Sequence, residues 1–125
     1  MNGRRSIPPG LTAELLLDVF DLPISFHRCL VPITGGVTAA LMLSQAIWTS
    51  EALDPEVGGW FCRSQEEWTD ETGLSRWEQE TARRALRTGG FLEERRAGMP
   101  AKLWFRVRPE AIGRALQAHA NPVRR

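Results

Sequence analysis

Apolar residues recur with helical spacing through the first half of the chain. Thr12 precedes the first of these segments and has the side chain of a helix cap, so a short helix is expected after it. Segment 28–33 predicts a second short helix, after a short strand or an extended entry at 23–26. Segment 37–50 is apolar on nearly every side, which is typical of a helix at the centre of a core or of one that shares a face with a second subunit.

Two helix-capping motifs follow in the second half of the chain. Residues 64–67 and 75–78 both have the S-x-x-E spacing of a capping box, in which each side chain accepts a backbone N–H from the other residue. Glycine adopts the left-handed conformation that ends helices, so the two helices are expected to end at Gly73 and at 89–90. Two capped helices joined by a short turn that contains glycine are typical of a helix-turn-helix.

A β-hairpin is predicted directly after the second capped helix. Segments 91–95 and 103–107 have strand-like composition, and the link 96–102 contains the Gly and Pro residues that a turn needs. A hairpin in this position is a wing, and a further short strand is expected at 60–63. Pro109 suits the first turn of a last helix, which runs through about residue 119. The predicted fold is mainly α with a small β-hairpin wing (α+β), a winged helix-turn-helix.

Length and composition agree with a single folded domain. The chain has 125 residues, 42% of them hydrophobic and 25% charged, which is typical of a globular protein. We therefore expect one winged-helix domain over 1–125. Its predicted parts are an N-terminal arm and helix (1–22), core helices and a loop (23–59), the helix-turn-helix with its wing (60–108), and a C-terminal helix with a basic tail (109–125).

Charge is divided unequally along the chain, although the net charge is only +1. Residues 1–71 contain four arginines and ten acidic residues, a balance of −6, whereas residues 72–125 contain twelve basic and five acidic residues, a balance of +7. A basic half of this kind predicts a surface that faces a polyanion.

The second capped helix divides into two faces when its residues are placed at about 100° intervals. Its core side is expected to hold Ala82, Ala85 and Leu86, packed with Trp68, Leu74, Phe91 and Leu92. Its outer side holds Arg76, Trp77, Glu80, Thr81, Arg84 and Arg87. That outer side is the one a helix-turn-helix presents to the major groove.

Chemical roles for these outer residues are predicted from the phosphates and base edges that DNA exposes. Helix-initial N–H groups beside Ser75 can contact phosphate. Arginine can pair with guanine through two hydrogen bonds, and Thr81 could contact a base edge or a thymine methyl. Glu80 would repel phosphate, so it must face a cytosine amine or be held by Arg84 or Arg76. The alternative is a solvated face with Glu–Arg pairs, since Glu80 and Arg84 have the i, i+4 spacing.

The predicted wing has cations on both sides of its turn. Arg95, Arg96 and Lys102 are expected to contact backbone phosphates, which position a protein on DNA without reading sequence. The alternative is that these charges protect the hairpin strands from edge pairing. Gly98 is expected to have a positive φ in the turn. Apolar and polar residues alternate over 103–106, so one face of that strand must belong to the core.

Tryptophans and cysteines give further expectations. Trp77 on a polar face indicates a protein contact or the lip of the core, whereas Trp48 and Trp60 lie in apolar context and are expected to pack. Cys29 and Cys62 form no CxxC motif and are predicted to be buried, reduced thiols. The acidic helix face from Glu66 to Glu71 is expected to be solvated or to face a partner.

Neither catalysis nor membrane insertion is indicated. The sequence has no zinc-binding spacing, P-loop, nucleophile elbow or paired carboxylate motif, so no catalytic residue, metal or cofactor is expected. The most apolar stretch, 35–49, is too short for a membrane span. Acidic residues interrupt the N-terminal 20 residues where a signal peptide would be apolar. A cytoplasmic protein is expected.

Over about residues 24–107 the chain closely resembles the winged helix-turn-helix domain of phage and plasmid replication-initiation or replisome-organiser proteins, which include DnaD-like N-terminal domains. The most specific part of the resemblance is "TGLSRWEQETARRAL…GFLEE…GMPAKLWFRV". It implies a DNA-binding winged helix. Two positions depart from the pattern: Trp77 stands where Arg or Lys is usual, and Gly89 stands where a large apolar residue is usual, which predicts a looser helix end.

Two functional hypotheses remain open at this point. One is a double-stranded DNA-binding protein of a phage or mobile element that acts in replication initiation or transcriptional control. Segments 37–50 and 110–119 are its two candidate homodimer surfaces. The other is a protein-binding winged helix, a replisome adaptor or a phage inhibitor of a host complex. Its partner would contact Trp77 or the Glu66–Glu71 face.

Overall fold

The computed structural model of the protein describes residues 12–13 and 23–120. Its elements are α1 (Leu30–Thr34), α2 (Val37–Glu51), a 3₁₀ turn (Pro55–Val57), β1 (Trp60–Cys62), α3 (Gln65–Thr72), α4 (Arg76–Gly89), β2 (Leu92–Ala97), β3 (Lys102–Val107) and α5 (Pro109–Ala120). Residues 23–26 have no regular secondary structure, so a strand is excluded there. Most of the predicted N-terminal arm and helix, 1–22, and the tail 121–125 lie outside the described residues.

Capping side chains set the bounds of α3 and α4, as predicted. The Ser64 hydroxyl accepts the Glu67 N–H at 3.1 Å, and the Glu67 carboxylate accepts the Ser64 N–H at 2.8 Å. Ser75 and Glu78 repeat this arrangement at 3.1 and 2.9 Å. Left-handed glycines, Gly73 after α3 and Gly90 after α4, then end the helices. These local interactions place the two helices of the motif only three residues apart.

The hairpin β2–β3 belongs to a three-stranded antiparallel sheet of order β1-β3-β2. Because side chains alternate along a strand, the register places Phe61 and Phe105 on the helix-facing side of the sheet and Trp60 and Arg106 on its outer side. Phe105 is fully buried, and its ring centre lies 5.3 Å from that of Trp68 in α3. The predicted fold class, an α+β winged helix with one strand face in the core, is confirmed.

Helix α2 lies at the centre of the core but leaves one edge uncovered. Met42, Leu43 and Ala46 are completely buried. Val37 and Trp48 are 60% and 54% exposed. The prediction that Trp48 packs in the core is therefore wrong. Eleven residues bring the helix back to nearly the same direction, so Trp48 shares the exposed edge with Val37, and the apolar sequence alone could not reveal which edge that was.

Gly89 does not loosen the end of α4, contrary to expectation. It remains within the helix, and a Cβ atom placed on it would lie 2.5 Å from Cε2 of Phe91. Phe91 is buried, so its ring occupies the space that a larger residue at position 89 would need. The glycine therefore allows close packing of the helix end against the first residue of the following segment.

Cys29 is exposed, so the prediction of two buried thiols is wrong at that position. It lies in the turn before α1, where the next residue, Leu30, takes the buried position. Cys62 is half-buried on the outer side of β1, and both thiols are free. Within residues 12–13 and 23–120, none of the helices has the length and apolar composition needed to cross a bilayer.

Candidate nucleic-acid interface

Helix α4 turns its whole polar face to solvent. Its inward positions, Gln79, Ala82 and Leu86, are at most 1% exposed. Its exposed residues are Arg76, Trp77, Glu80, Thr81, Arg84, Arg87, Thr88 and Gly89. The predicted division into a core side and an outer side is confirmed. Apart from Glu94 of the following strand, which binds Arg87, no described residue of another element pairs with the outer side, so its other side chains are available to a partner.

The N-terminus of α4 offers backbone donors, but not the one on Ser75 itself. The N–H of Ser75 already donates to the Glu78 carboxylate at 2.9 Å. Helix geometry leaves the N–H groups of the first turn without intrahelical acceptors, and the Ser75 hydroxyl takes only that of Glu78. The N–H groups of Arg76 and Trp77 are therefore the donors that this end can offer to phosphate.

Glu80 is held by Arg76 rather than by Arg84. The Nε atom of Arg76 lies 3.9 Å from a carboxylate oxygen of Glu80, and the two side chains are 76% and 49% exposed. An ion pair this exposed and this long contributes little. Arg84 makes no ion pair within the described part of the chain and lies in the middle of the outer face. It is the arginine of α4 with the least competition from the protein's own acids.

Glu94, a glutamate in the wing, pairs with the other two arginines of α4. Arg83 donates from Nε and Nη2 to the two carboxylate oxygens of Glu94, both at 2.8 Å. Arg87 donates from Nη1 to the same carboxylate at 3.0 Å. The side chain of Glu94 is 9% exposed, against 17% for Arg83 and 46% for Arg87. This cluster, called the Glu94 clamp, attaches β2 to α4.

The Glu94 clamp stays ionised at neutral pH. Burial raises the pKa of the Glu94 carboxyl, but the hydrogen bonds and charges of Arg83 and Arg87 outweigh burial and leave that pKa below its ordinary value. The hydrogen bond to Glu94 raises the pKa of Arg83. Sequence reasoning missed the clamp, because Glu94 pairs with residues seven and eleven positions away on another element.

Gln79 fixes the angle between the two helices of the motif. It is 1% exposed, and its Nε2 atom lies 3.1 Å from the Gln65 carbonyl, 2.9 Å from the Thr69 hydroxyl and 3.1 Å from the Leu74 carbonyl. These acceptors belong to α3 and to the turn that follows it. A glutamine between two glutamates gave no indication of burial in the sequence, so this contact was also missed.

The cations of the wing lie on opposite sides of the sheet. Arg95 is on the outer side, and its guanidinium lies 4.4 Å from the centre of the Trp60 ring. The guanidinium of Arg106 lies 4.7 Å from the same ring. Trp60 therefore packs as predicted, but against cations on the outer sheet face rather than within the apolar core. This cation–π contact restrains Arg95 while leaving its donors at the surface.

Arg96 and Lys102 flank the tip of the wing and are both exposed. Strand alternation places Arg96 on the same side of β2 as Glu94, towards α4. Neither cation makes an ion pair within the described residues. The last cross-strand pair is Ala97 with Lys102, so the tip is residues 98–101. Gly98 has a φ of 102°, which confirms the predicted left-handed turn residue.

The acidic face predicted on α3 is divided in two. Glu66 and Asp70 are exposed. Glu71 instead accepts hydrogen bonds from Arg63 at 2.8 Å and Gln45 at 3.2 Å, because it lies on the side of α3 that faces the core. Glu67 forms the capping box, and the backbone N–H of Ser64 lowers the pKa of its carboxyl. The predicted solvated face is therefore confirmed at Glu66, Glu67 and Asp70, whereas Glu71 is paired within the protein, and a partner at this face stays a prediction.

Trp77 stands out on the surface of the described chain. Its side chain is 73% exposed at the start of α4, so it does not form a lip of the core.

The two predicted dimer surfaces differ from each other. Segment 37–50 exposes the edge that contains Val37 and Trp48. Segment 110–119 borders an open apolar groove of 590 Å³, with Ile112 and Leu116 on its walls.

No group of three or more histidine, cysteine or acidic residues that could hold a metal ion occurs among residues 12–13 and 23–120. The surface described above is built from arginines, backbone donors and one exposed tryptophan. Its chemistry suits hydrogen bonding to anions and to base edges.

Comparison with known proteins adds little to this description. No family model matches the sequence, and a search of curated proteins found no match. A solved structure described as the N-terminal domain of a DNA binding protein aligns with 91% of this chain and 96% of its own, at 15% identity and a TM-score of 0.44. A structural similarity this low supports no conclusion about this chain. The resemblance to replication proteins therefore stays a prediction.

Proposed function

We propose that this protein binds double-stranded DNA with α4 in the major groove. The observation that carries the proposal is the outer face of α4, where Arg84 is exposed without an ion pair in the described chain and Thr81 lies one turn before it. An α-helix about 10–12 Å across fits a major groove about 12 Å wide. The balance of +7 over residues 72–125 supplies attraction to phosphate.

Individual residues are assigned to base contact or to phosphate contact by their surroundings. Arg76, Thr81 and Arg84 are the proposed base contacts. Arg96 and Lys102 are the proposed phosphate contacts of the wing, and Arg95 contributes from its position on Trp60. Arg87 is assigned a lesser, phosphate-directed part, because Glu94 competes for its guanidinium at 3.0 Å.

The biological setting is proposed from the resemblance and not from the geometry. It is a phage or mobile element, with a cytoplasmic role in replication initiation or transcriptional control. The proposal includes no catalytic step, cofactor or metal ion. Helix-turn-helix proteins commonly read paired half-sites as dimers, so we expect a homodimer on DNA. Analytical ultracentrifugation with and without duplex tests that expectation, and a single half-site in the footprint would contradict it.

The test begins with selection of bound duplexes from a random pool at low salt, where phosphate attraction is strongest. The selected duplex is then titrated with wild type, Arg84→Ala and a matched control, Arg114→Ala, which removes an exposed arginine from α5. Loss of an arginine–guanine pair costs about 1–3 kcal/mol at one base pair. We expect Arg84→Ala to lose that base preference and Arg114→Ala to keep it. Wild type that binds no duplex at low salt would contradict the proposal.

The 73% exposure of Trp77 favours a second candidate, a protein-binding winged helix. Exposed tryptophans are common anchors of protein interfaces. The discriminating variants are Trp77→Ser and the double change Arg76→Ala with Arg84→Ala, which leaves the Glu94 clamp intact. If the double variant loses DNA affinity but keeps biological activity while Trp77→Ser loses activity, the protein-binding function is the correct one.

A further inference from the structure

The tip of the wing has a composition that the fold does not require. Its residues, 98–101, are Gly, Met, Pro and Ala, without a charged or hydroxyl side chain, and Ala97 precedes them. Met99 is 98% exposed, the highest value among the large hydrophobic residues described. A methionine in this position buries nothing within the protein, so its apolar surface contributes to stability only when a partner covers it.

Positive charge surrounds this apolar tip. Arg96 and Lys102 are exposed at the two strand ends that lead into it. The acidic residues of the hairpin, Glu93 and Glu94, lie at its base and are already paired, Glu93 with Arg106 at 2.7 Å and Glu94 with the arginines of α4. A partner of the tip therefore meets an apolar side chain between cations, with no free carboxylate beside it. An apolar side chain between cations suits a ligand that is negatively charged at its edges and apolar between them.

The shape of the tip suits a narrow site. Paired strands lie about 4.8 Å apart from axis to axis, so a hairpin with its side chains is wider than the minor groove of B-DNA, which is about 6 Å across. Only a side chain at the end of the hairpin can therefore enter that groove. Gly98, Ala97 and Ala101 add almost no width, so Met99 is the one long side chain at the end of the hairpin. Trp104 Nε1 also donates to the Ala97 carbonyl at 3.3 Å, which links the two strands next to the tip.

The hairpin projects beyond its attachment to α4. Glu94 is bound to α4, and the three residues from Arg95 to Ala97 extend about 10 Å further, before the tip. With α4 in the major groove, the adjoining minor groove lies about half a helical repeat away, on the order of 17 Å. The Glu94 clamp fixes the base of the hairpin to α4, so the tip and the helix approach the duplex as one body.

We infer that Met99 is an apolar wedge that enters the minor groove beside the site read by α4, with Arg96 and Lys102 on the flanking phosphates. The inference rests on the proposed function. Minor-groove wedges of this kind partly unstack a base step and bend the duplex, and they are favoured where no guanine amino group lies in the groove. The wing therefore adds a preference for A·T pairs next to the site of α4.

The test uses the duplex selected by the wild-type protein, with fluorescent dyes at its two ends to report bending. Met99→Ala is compared with Met99→Leu, which restores a long apolar side chain, and with Lys102→Ala. Val57→Ala is the matched control, since Val57 is another exposed apolar residue but lies in the 3₁₀ turn. Circular dichroism checks that each variant is folded, which the exposure of Met99 leads us to expect.

We expect Met99→Ala to weaken binding about tenfold and to reduce the bend, with an unchanged dependence of affinity on salt. Met99→Leu and Val57→Ala should bind within about twofold of wild type, since they keep the wedge or lie away from it. Lys102→Ala should lower the salt slope by about one unit. Replacing A·T by G·C beneath the wing should weaken wild type but not Met99→Ala.

The outcomes separate this inference from the proposed function. Wild type that binds no duplex overturns both. Wild type that binds and bends its duplex, with Met99→Ala indistinguishable from it, overturns the wedge and leaves the helix assignment standing. Equal effects of Met99→Ala on duplexes with A·T or G·C beneath the wing also overturn the minor-groove assignment.

Discussion

Glu94→Ala is expected to destabilise the protein more than the loss of a surface ion pair, because Glu94 holds a mostly buried guanidinium. The side chains of Glu94 and Arg83 are 9% and 17% exposed. Arg83 donates two hydrogen bonds of 2.8 Å to the carboxylate and lies 6.0 Å from the centre of the Phe105 ring. Without the carboxylate, that charge keeps an aromatic neighbour and the weaker attraction of Glu80, but it has no hydrogen-bonded counter-ion where little water reaches.

The size of the effect follows from this burial. Breaking a fully buried ion pair costs about 3–5 kcal/mol. Partial exposure of Arg83 and the surface position of Arg87 reduce this to about 2–3 kcal/mol for Glu94→Ala, a decrease in Tm of roughly 10 °C. Glu94→Gln keeps one acceptor oxygen and is expected to cost about 1–2 kcal/mol. Replacing both partners, Arg83→Met with Glu94→Leu, should recover most of the stability, because neither charge is then left unpaired.

The assay is urea and thermal unfolding at pH 7, followed by circular dichroism and tryptophan fluorescence. Glu110→Ala is the matched control, because Glu110 also pairs with an arginine, Arg108, but at 3.7 Å and with 67% of its side chain exposed. We expect the control to cost less than about 0.5 kcal/mol. Equal losses for Glu94→Ala and Glu110→Ala, or additive effects of the two changes at Arg83 and Glu94, would refute this reasoning.

Acid should weaken the same interaction. The folded-state pKa of Glu94 lies below its ordinary value of 4.5. A lowered carboxyl pKa contributes stability that is fully present above the unfolded-state value and is lost as the pH falls through the folded-state value. The wild-type free energy of unfolding should therefore decrease below about pH 4.5. Glu94→Gln should show a shallower decrease over that range, and parallel curves would contradict the assignment.

Further predictions concern the glycines and the cap of α4. Gly89→Ala should destabilise by about 1 kcal/mol despite better helix propensity, because the added Cβ would lie 2.5 Å from the Phe91 ring. Gly113→Ala, in open space on α5, should instead stabilise by about 0.5–1 kcal/mol, and urea unfolding of the pair tests the contrast. Gly98→Val should cost about 1–2 kcal/mol at a φ of 102°, with Gly98→Asn better tolerated in the same assay. Ser75→Ala should cost about 1 kcal/mol by removing the hydroxyl that caps α4, measured as a decrease in Tm.

Local interactions made much of the fold predictable. The capping boxes at 64–67 and 75–78 join residues three positions apart, so their spacing in sequence specifies the helix starts. Left-handed glycines specify the helix ends for the same reason. The alternation along β3 identified the buried strand face, because a strand has only two sides. Helical spacing likewise separated the inner and outer sides of α4.

Positions that depend on neighbouring elements were not predictable in this way. The exposure of Trp48 depends on which edge of α2 the other elements leave uncovered. The close contact at Gly89 depends on where the ring of Phe91 folds back. Glu71 pairs with Arg63 and Gln45 only because α3 docks against β1 and α2. None of these relations has a fixed spacing along the chain.

The four arginines of α4 show what the sequence alone can predict and what it cannot. By itself, the sequence determined that a capped helix carries them and that Arg76, Arg84 and Arg87 lie on its outer side, because helix geometry depends only on spacing. Only the tertiary structure decided that Arg83 is committed to Glu94, that Arg87 is shared with it, and that Arg84 is left without an internal acid. The physical reason is that an ion pair forms where folding brings two charges within hydrogen-bonding distance, and here the hairpin brings Glu94 back to α4.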